Sequence, residues 1–141
     1  MPELDYMVIA DYVRQDAGAI HIMGAGVDTV VAPVVPTVQP FGIAVRITFG
    51  STEEVGAPHR LTLTFQTADG QHLLDANVAF VTPPQVQGVP EHWRTALGVA
   101  LQMPVLLPDY GDYAFELAID DGAITKSIDV RVVPALNTAQ S

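Results

Sequence analysis

The stretch HRLTLTFQTADGQHLLDANVAFV, His59–Val81, decides the fold class. It alternates apolar and polar residues on both sides of Asp69-Gly70, a pair typical of the tight turn in a β-hairpin. If these residues form a two-residue turn, Thr67 lies opposite His72. The same register places the apolar residues on one face: Leu61 opposite Val78, Leu63 opposite Ala76, and Phe65 opposite Leu74. The stretch therefore predicts a hairpin with one buried face.

The stretch LPDYGDYAFELAIDDGAITKSIDVRVVP, Leu107–Pro134, predicts a second hairpin around Asp121-Gly122. In this register Asp112 lies opposite Arg131 on the polar face. Lys126 breaks the pattern because it falls on the apolar face, where it either extends its amine out to solvent or marks a β-bulge. The predicted core residues are Tyr113, Phe115, Leu117, Ile119, Ile124, Ile128, Val130 and Val132.

The remaining segments also favour strands. Residues 41–50 alternate as one strand, whereas 6–14 and 19–31 predict a long first hairpin that is apolar on both faces. Residues 93–103 fit either a strand or a short helix. We therefore predict an all-β, antiparallel β-sandwich of about seven to nine strands, with one short helix near 91–101 as an open alternative. Residues 1–134 form a single domain in this interpretation, and 135–141 a flexible C-terminal tail.

The segment GDYAFEL resembles the corner at which immunoglobulin-like sandwiches fold a tyrosine hydroxyl back onto nearby backbone, through Gly111, Tyr113 and Phe115. Nearly the whole chain resembles a family of short bacterial proteins of unknown function. The matching segments are PELDYMVIADYVR, GAGVDTV, PHRLTLTFQTADG, YGDYAFEL and VRVVP. The resemblance implies an immunoglobulin-like β-sandwich and supplies no catalytic residue.

The composition narrows the classes of function. The chain of 141 residues contains no cysteine and has a formal net charge of −10, which disfavours binding to nucleic acid or anionic membranes. It has no run of about 18 apolar residues and no basic N-terminal signal, so we expect a cytoplasmic protein. Only 16% of the residues are charged, against about 25% in ordinary soluble domains. Either the surface is rich in Thr, Ser, Gln and Ala, or part of it is buried against another chain; the second alternative is the one that bears on function.

The candidate chemical groups do not form a recognisable site. His59 and His72 fall about 26 Å apart along the first predicted hairpin, too far to share an ion. His21 and His92 have no metal-binding spacing with them, so isolated surface or turn histidines are the expected outcome. The acidic pairs of the loops lack the spacing of calcium sites: Asp109 and Asp112, Asp120 and Asp121, and Glu53 and Glu54. We therefore expect no metal, no cofactor and no enzymatic activity.

The sequence favours a non-catalytic structural or protein-interaction module that self-associates through strand faces or edges, as a homo-oligomer. Tyr6, Val8, Tyr12 and Trp93 are the candidate interaction surface. One alternative is a small-ligand module, for instance for carbohydrate, because Trp93 could stack on a sugar. Another is a subunit of a viral or prophage-derived particle.

Overall fold

The computed structural model describes residues 2–17, 19–50, 53–85, 88, 90 and 93–135, and these residues form nine β-strands. Within these ranges no helix is long and apolar enough to cross a membrane. The strands are β1 Glu3–Asp16, β2 Ala19–Ala25, β3 Thr29–Ala32, β4 Thr37–Phe49, β5 Pro58–Thr67, β6 His72–Val81, β7 Thr95–Leu107, β8 Gly111–Ile119 and β9 Ile124–Pro134.

The strands form two sheets. Sheet A has the order β2-β1-β4-β7, and sheet B has the order β3-β9-β8-β5-β6. The all-β sandwich predicted from the sequence is confirmed, but its purely antiparallel character is wrong at one pair. β3 runs parallel to β9, from Thr29 opposite Arg131 to Ala32 opposite Pro134. No hairpin joins these two strands, because the chain leaves β3 for sheet A, so no tight turn dictates an antiparallel direction.

The core lies between the inner faces of the two sheets. In sheet A, β4 alternates as predicted, and Phe41, Ile43, Val45, Ile47 and Phe49 are completely buried. The rings of Phe65 and Phe115 approach them from sheet B, and the Phe41 and Phe115 centroids lie 5.2 Å apart in an edge-to-face arrangement. The period-two apolar pattern of the strands therefore becomes one continuous core.

The hairpin of β8 and β9 has the predicted register. Tyr113 lies opposite Val130, Ile119 lies opposite Ile124, and the pairing contains no shift. A bulge therefore does not explain Lys126. Its side chain is exposed, since β3 covers only the last part of β9 and leaves Lys126 on an open edge of sheet B. The amine reaches solvent from a position on the core side.

The hairpin of β5 and β6 departs from the predicted register at its turn. Leu61, Leu63 and Phe65 have the predicted partners, but a shift after Phe65 places Gln66 opposite His72. The N–H of Gly70 donates to the Thr67 carbonyl, and Gly70 has a φ of 87°. The loop therefore has three residues, and its last residue is a glycine in the left-handed region. An Asp-Gly pair occurs in this type of loop as well as in the two-residue type.

The alternative of a short helix near 91–101 is wrong for the described residues, because Thr95–Leu107 form strand β7. β7 pairs with β4 along its whole length, from Thr95 opposite Phe49 to Leu107 opposite Thr37. The apolar residues at odd positions from Leu97 to Leu107 all face the core. The alternation continues beyond residue 103, the last residue of the segment that fits either a strand or a helix by its sequence.

The far half of the first hairpin folds over the outer face of sheet A, and we call its described residues, 11–17 and 19–25, the flap. The N–H of Val13 donates to Gln102 Oε1 at 3.0 Å, and Gln15 Nε2 donates to the Gly98 carbonyl at 2.9 Å. A second small apolar cluster lies between the flap and the rest of sheet A: Ala10, Val13 and Ala44, with Tyr6, Val8, Ile20, Ile22 and Ala100 packed around them. The flap explains why the N-terminal strands are apolar on both faces.

The flap lies so close to the sheet that two positions beneath it have no room for a side chain. A Cβ on Gly98 would lie 2.6 Å from Cδ1 of Ile20, and a Cβ on Gly42 would lie 2.8 Å from the backbone nitrogen of Val13. Both distances are shorter than real Cβ contacts. Glycine is therefore required at position 42, where backbone is in the way, whereas a side chain at position 98 needs the end of Ile20 to shift.

The hydroxyl of Tyr113 folds back onto the backbone, as expected for the corner formed with Gly111 and Phe115. It donates to the Asp109 carbonyl at 2.6 Å and accepts from the Asp109 N–H at 3.2 Å. These contacts fix one corner, and the immunoglobulin-like class of the whole sandwich stays a prediction. The predicted tail, 135–141, lies outside the described residues except for Ala135.

Candidate interaction surface

Two long segments of the chain carry no charged residue or histidine: 29–45 and 95–108. The first contains β3 and most of β4, and the second contains β7. Residues 37–45 of the first segment are paired with residues 99–107 of the second and lie beside them in sheet A, whereas β3 belongs to sheet B. We call the exposed part of residues 37–45 and 95–108 the charge-free surface. The sequence shows both runs, but only the strand pairing brings them together.

Large apolar side chains are exposed at one end of the charge-free surface. Val38 and Leu106 are cross-strand partners on the outer face of sheet A, 59% and 49% exposed. Pro40 and Pro104 form the next pair on the same face and are also exposed. Val34 and Tyr110 are exposed in the loops that adjoin this end, and the Tyr110 hydroxyl donates to the Ala32 carbonyl. Val31 is also exposed but faces outward from sheet B. Such a grouping is typical of an interaction site.

The charge-free surface continues along the edge of β7. β7 is the outermost strand of sheet A and pairs with β4 alone among the described strands. Its core-facing side chains from Leu97 to Met103 are only half-buried, unlike those of Val105 and Leu107. Core-facing residues of β6, across the same side of the sandwich, are also half-buried: Leu74, Ala76, Val78 and Phe80. The sandwich is therefore open along this side.

The other sheet edges carry features that oppose strand pairing. β9 places Lys126 on the core side of its open edge, and an inward-pointing lysine is a known protection of edge strands. β6 carries Asp75, which contacts His72, and β2 has only seven residues. β7 has 13 residues and no charge. By these criteria β7 is the least protected edge within the described ranges.

The four residues predicted as an interaction surface have different environments. Tyr6 and Val8 are half-buried against the small cluster beside the flap. Tyr12 is 44% exposed on the flap and lies opposite Met23, which is 66% exposed. Trp93 is 55% exposed and precedes β7 by two residues. Tyr12 and Trp93 are therefore the accessible members of the set.

Arg94 fixes the beginning of β7 next to Trp93. Its guanidinium donates to both the hydroxyl and the carbonyl oxygen of Thr48, each at 3.1 Å, and lies 3.8 Å from a Glu3 carboxylate oxygen. These contacts tie the start of β7 to the ends of β4 and β1. Trp93 directly precedes this anchored residue.

A histidine network lies at the opposite sheet, and the sequence did not reveal it. His59 Nδ1 lies 2.7 Å from Asp120 Oδ2, and His59 Nε2 lies 2.8 Å from Thr82 Oγ1. The ring also packs against Phe49 and Phe80, at centroid distances of 5.6 and 5.2 Å. The interpretation of His59 as an isolated surface residue is therefore wrong. Its two hydrogen-bond partners lie 23 and 61 positions away along the chain, so no local spacing predicts the network.

The network has the residue types of an acid–base–hydroxyl triad, but its geometry is structural. Thr82 is only 2% exposed, so its hydroxyl cannot meet a substrate as a nucleophile would have to. Asp120 also accepts from the N–H of Arg60 at 3.1 Å. With the ring proton on Nδ1, His59 donates to Asp120 and accepts from Thr82, which satisfies both nitrogens.

Asp109 and Asp112, two of the acidic loop residues, form contacts within the protein. Asp109 accepts from the N–H of Tyr110 at 2.8 Å, and Asp112 accepts from Arg131 Nε at 3.1 Å. Among the described residues, no group of three or more histidine or acidic side chains is arranged to hold a metal ion. His92, also considered as a ligand, lies outside the described residues.

A groove of about 670 Å³ lies on the outer face of sheet B. Polar residues predominate in its lining, among them Asp28, Gln66, Glu116, Ser127, Asp129 and Arg131. Trp93, the aromatic side chain considered for sugar stacking, does not line this groove. The two features that would form a carbohydrate platform are therefore separate.

Comparisons with known proteins give a family but no activity. The model of a family of unknown function, DUF6941, matches residues 5–133. No curated protein matches the chain. Among solved structures, the crystal structure of a putative beta-galactosidase from Bacteroides fragilis matches with a TM-score of 0.42 and 14% identity. That match covers 62% of this chain and 14% of the other.

Proposed function

This chain belongs to the family of unknown function DUF6941, and we propose that it is a non-catalytic protein-interaction module that self-associates through its charge-free surface. The observation that carries the proposal is the pairing of two stretches without charge, 37–45 and 99–107, in a protein whose net charge is −10. Exposed apolar side chains occupy the end of this surface, and an unprotected strand forms its edge.

Electrostatics favours a second copy of the chain as the partner. Two molecules with a net charge of −10 repel each other wherever acidic surfaces meet. Contact through the charge-free surface keeps the acidic residues apart and buries no ion. A basic partner would instead be attracted to the acidic faces, which lie elsewhere on the molecule. An apolar, uncharged patch is also compatible with itself, as an interface around a two-fold axis requires.

The proposal of a non-catalytic role is supported by the state of the reactive groups. Asp109, Asp112 and Asp120 make the intramolecular contacts described above, and the hydroxyl beside His59 is buried. Active sites bring titratable groups together in an accessible cleft. Here those side chains stabilise loops and strand ends.

The test is the mass in solution, by sedimentation equilibrium, of the wild type and two variants with the same added charge. Leu106→Glu places a carboxylate on the charge-free surface, whereas Val55→Glu places it in a loop outside that surface. The two side chains have similar exposure, 49% and 57%. We expect the wild type and Val55→Glu to associate and Leu106→Glu to be monomeric. Equal masses for the two variants would contradict the choice of surface.

A further inference from the structure

We propose that two copies of the chain pair through their β7 edges, antiparallel to each other and related by a two-fold axis near Leu101. This inference rests on the proposed self-association and adds its geometry. Leu101 is the middle residue of Thr95–Leu107, so an axis there lets both strands overlap completely. The two four-stranded sheets A then become one continuous sheet of eight strands.

The backbone of β7 supplies the attraction. In an antiparallel ladder, alternate residues bond to the neighbour on one side, so about half of the N–H and C=O groups of an edge strand point away from its partner. In β7 these groups point away from β4, toward the open side of sheet A. A second strand satisfies them and gives a main-chain interface of the kind seen in strand addition. Two groups of each strand are not available: Pro104 lacks an N–H, and the Gly98 carbonyl already accepts from Gln15 Nε2.

The side chains of β7 favour the same arrangement. The core-facing residues Leu97, Val99, Leu101 and Met103 are half-buried because no strand follows β7 in its sheet. A paired copy places the same four residues beside them and closes the open side of each sandwich. The paired strands contribute 13 residues from each copy, so the contact is smaller than the standard interface of about 20 residues a side.

A second copy fits this edge better than a different protein, because self-pairing needs no complementary charge. Strand β7 contains no charged residue, so an antiparallel copy never places like charges opposite each other. The edges of β9 and β6 do not share this property, since they carry Lys126 and Asp75. The inference therefore assigns the interface to β7 and leaves the edge of sheet B unpaired.

The first experiment adds a lysine to the β7 edge. Val99→Lys introduces on β7 the inward-pointing lysine that β9 carries naturally at Lys126. Val78→Lys makes the same change at a half-buried, core-facing position of β6 and serves as the matched control. Circular dichroism establishes that both variants fold. We expect Val99→Lys to sediment as a monomer and Val78→Lys as a dimer, and the reverse result would overturn the inference.

Distances between spin labels test the geometry directly, because the chain contains no cysteine and accepts single labels cleanly. Ala96→Cys and Leu106→Cys place nitroxides at exposed positions five residues on either side of Leu101. Each residue away from the axis adds about 6.6 Å, twice the rise of a strand, so both labels should show distances near 33 Å between protomers. Parallel strands would give short distances at both sites.

The outcomes separate this inference from the proposed function. If the Leu106 labels are close and the Ala96 labels are distant, the dimer associates through the apolar end of the charge-free surface. That result would overturn edge pairing and leave self-association intact. A protein that remains monomeric at about 100 µM would overturn both proposals. Similar distances near 33 Å in a dimer support both.

Discussion

The contact between the flap and sheet A leads to a quantitative prediction at Gly98. In Gly98→Ala the new Cβ would lie 2.6 Å from Cδ1 and 3.0 Å from Cγ1 of Ile20. Overpacking of this kind costs about 1–3 kcal/mol. Removal of a glycine from a strand returns about 0.5–1 kcal/mol. We therefore expect a net loss of about 1 kcal/mol in the free energy of unfolding.

The second substitution, Ile20→Val, removes the Cδ1 atom that makes the closest contact. Alone it should cost about 0.5 kcal/mol, the low end for this change, because Ile20 is only half-buried. In the double variant with Gly98→Ala the clash is relieved, so the two effects should not add. We expect the double variant to be more stable than Gly98→Ala alone. Gly42→Ala is the control, since its clash is with the backbone of Val13 and Ile20→Val cannot relieve it.

Urea unfolding followed by circular dichroism, at one fixed protein concentration, measures these differences. Hydrogen exchange of the Val13 amide, which donates to Gln102 Oε1, reports whether the flap itself opens. Gly98→Ala should accelerate that exchange, and the added Ile20→Val should restore it. A Gly98→Ala variant as stable as the wild type, or one that Ile20→Val does not rescue, would refute the close contact between the flap and sheet A.

Three further substitutions test other parts of the structure. Tyr113→Phe removes the hydroxyl that bonds both backbone groups of Asp109 and should cost about 1–2 kcal/mol in urea unfolding; no loss would show that the corner is dispensable. Thr82→Val leaves Nε2 of His59 without its buried partner and should cost about 1–3 kcal/mol without changing the mass in solution. Lys126→Ile removes the protection of the β9 edge, so light scattering should detect concentration-dependent aggregation, and a variant as soluble as the wild type would contradict that role.

The turns explain why most of the fold was predictable from the sequence. Asp121-Gly122 formed the expected turn, and the register that follows from it placed every apolar residue of β8 and β9 correctly. Asp69-Gly70 predicted the hairpin but not the length of its loop. Asp-Gly occurs in loops of two and of three residues, so the sequence did not determine the pairing next to the turn. The pairs farther from the turn were predicted correctly.

The features that were not predictable depend on contacts between distant segments. Glycine at 42 and 98 signals close approach, but the approaching flap is identified only once β4 and β7 are aligned. His59 and Asp120 are separated by 61 positions, so no motif connects them. The charge-free runs are visible in the sequence, whereas their position side by side, and hence the candidate surface, follows from strand pairing.

The mass of the protein in solution tests the central claim most directly. Sedimentation equilibrium between about 1 and 100 µM covers the affinities expected for a specific dimer of this size. The account predicts a dimer of about 30 kDa, twice the 15.1 kDa of one chain, which persists at high salt because its interface contains no ion pair. A mass of 15.1 kDa at every concentration would contradict it.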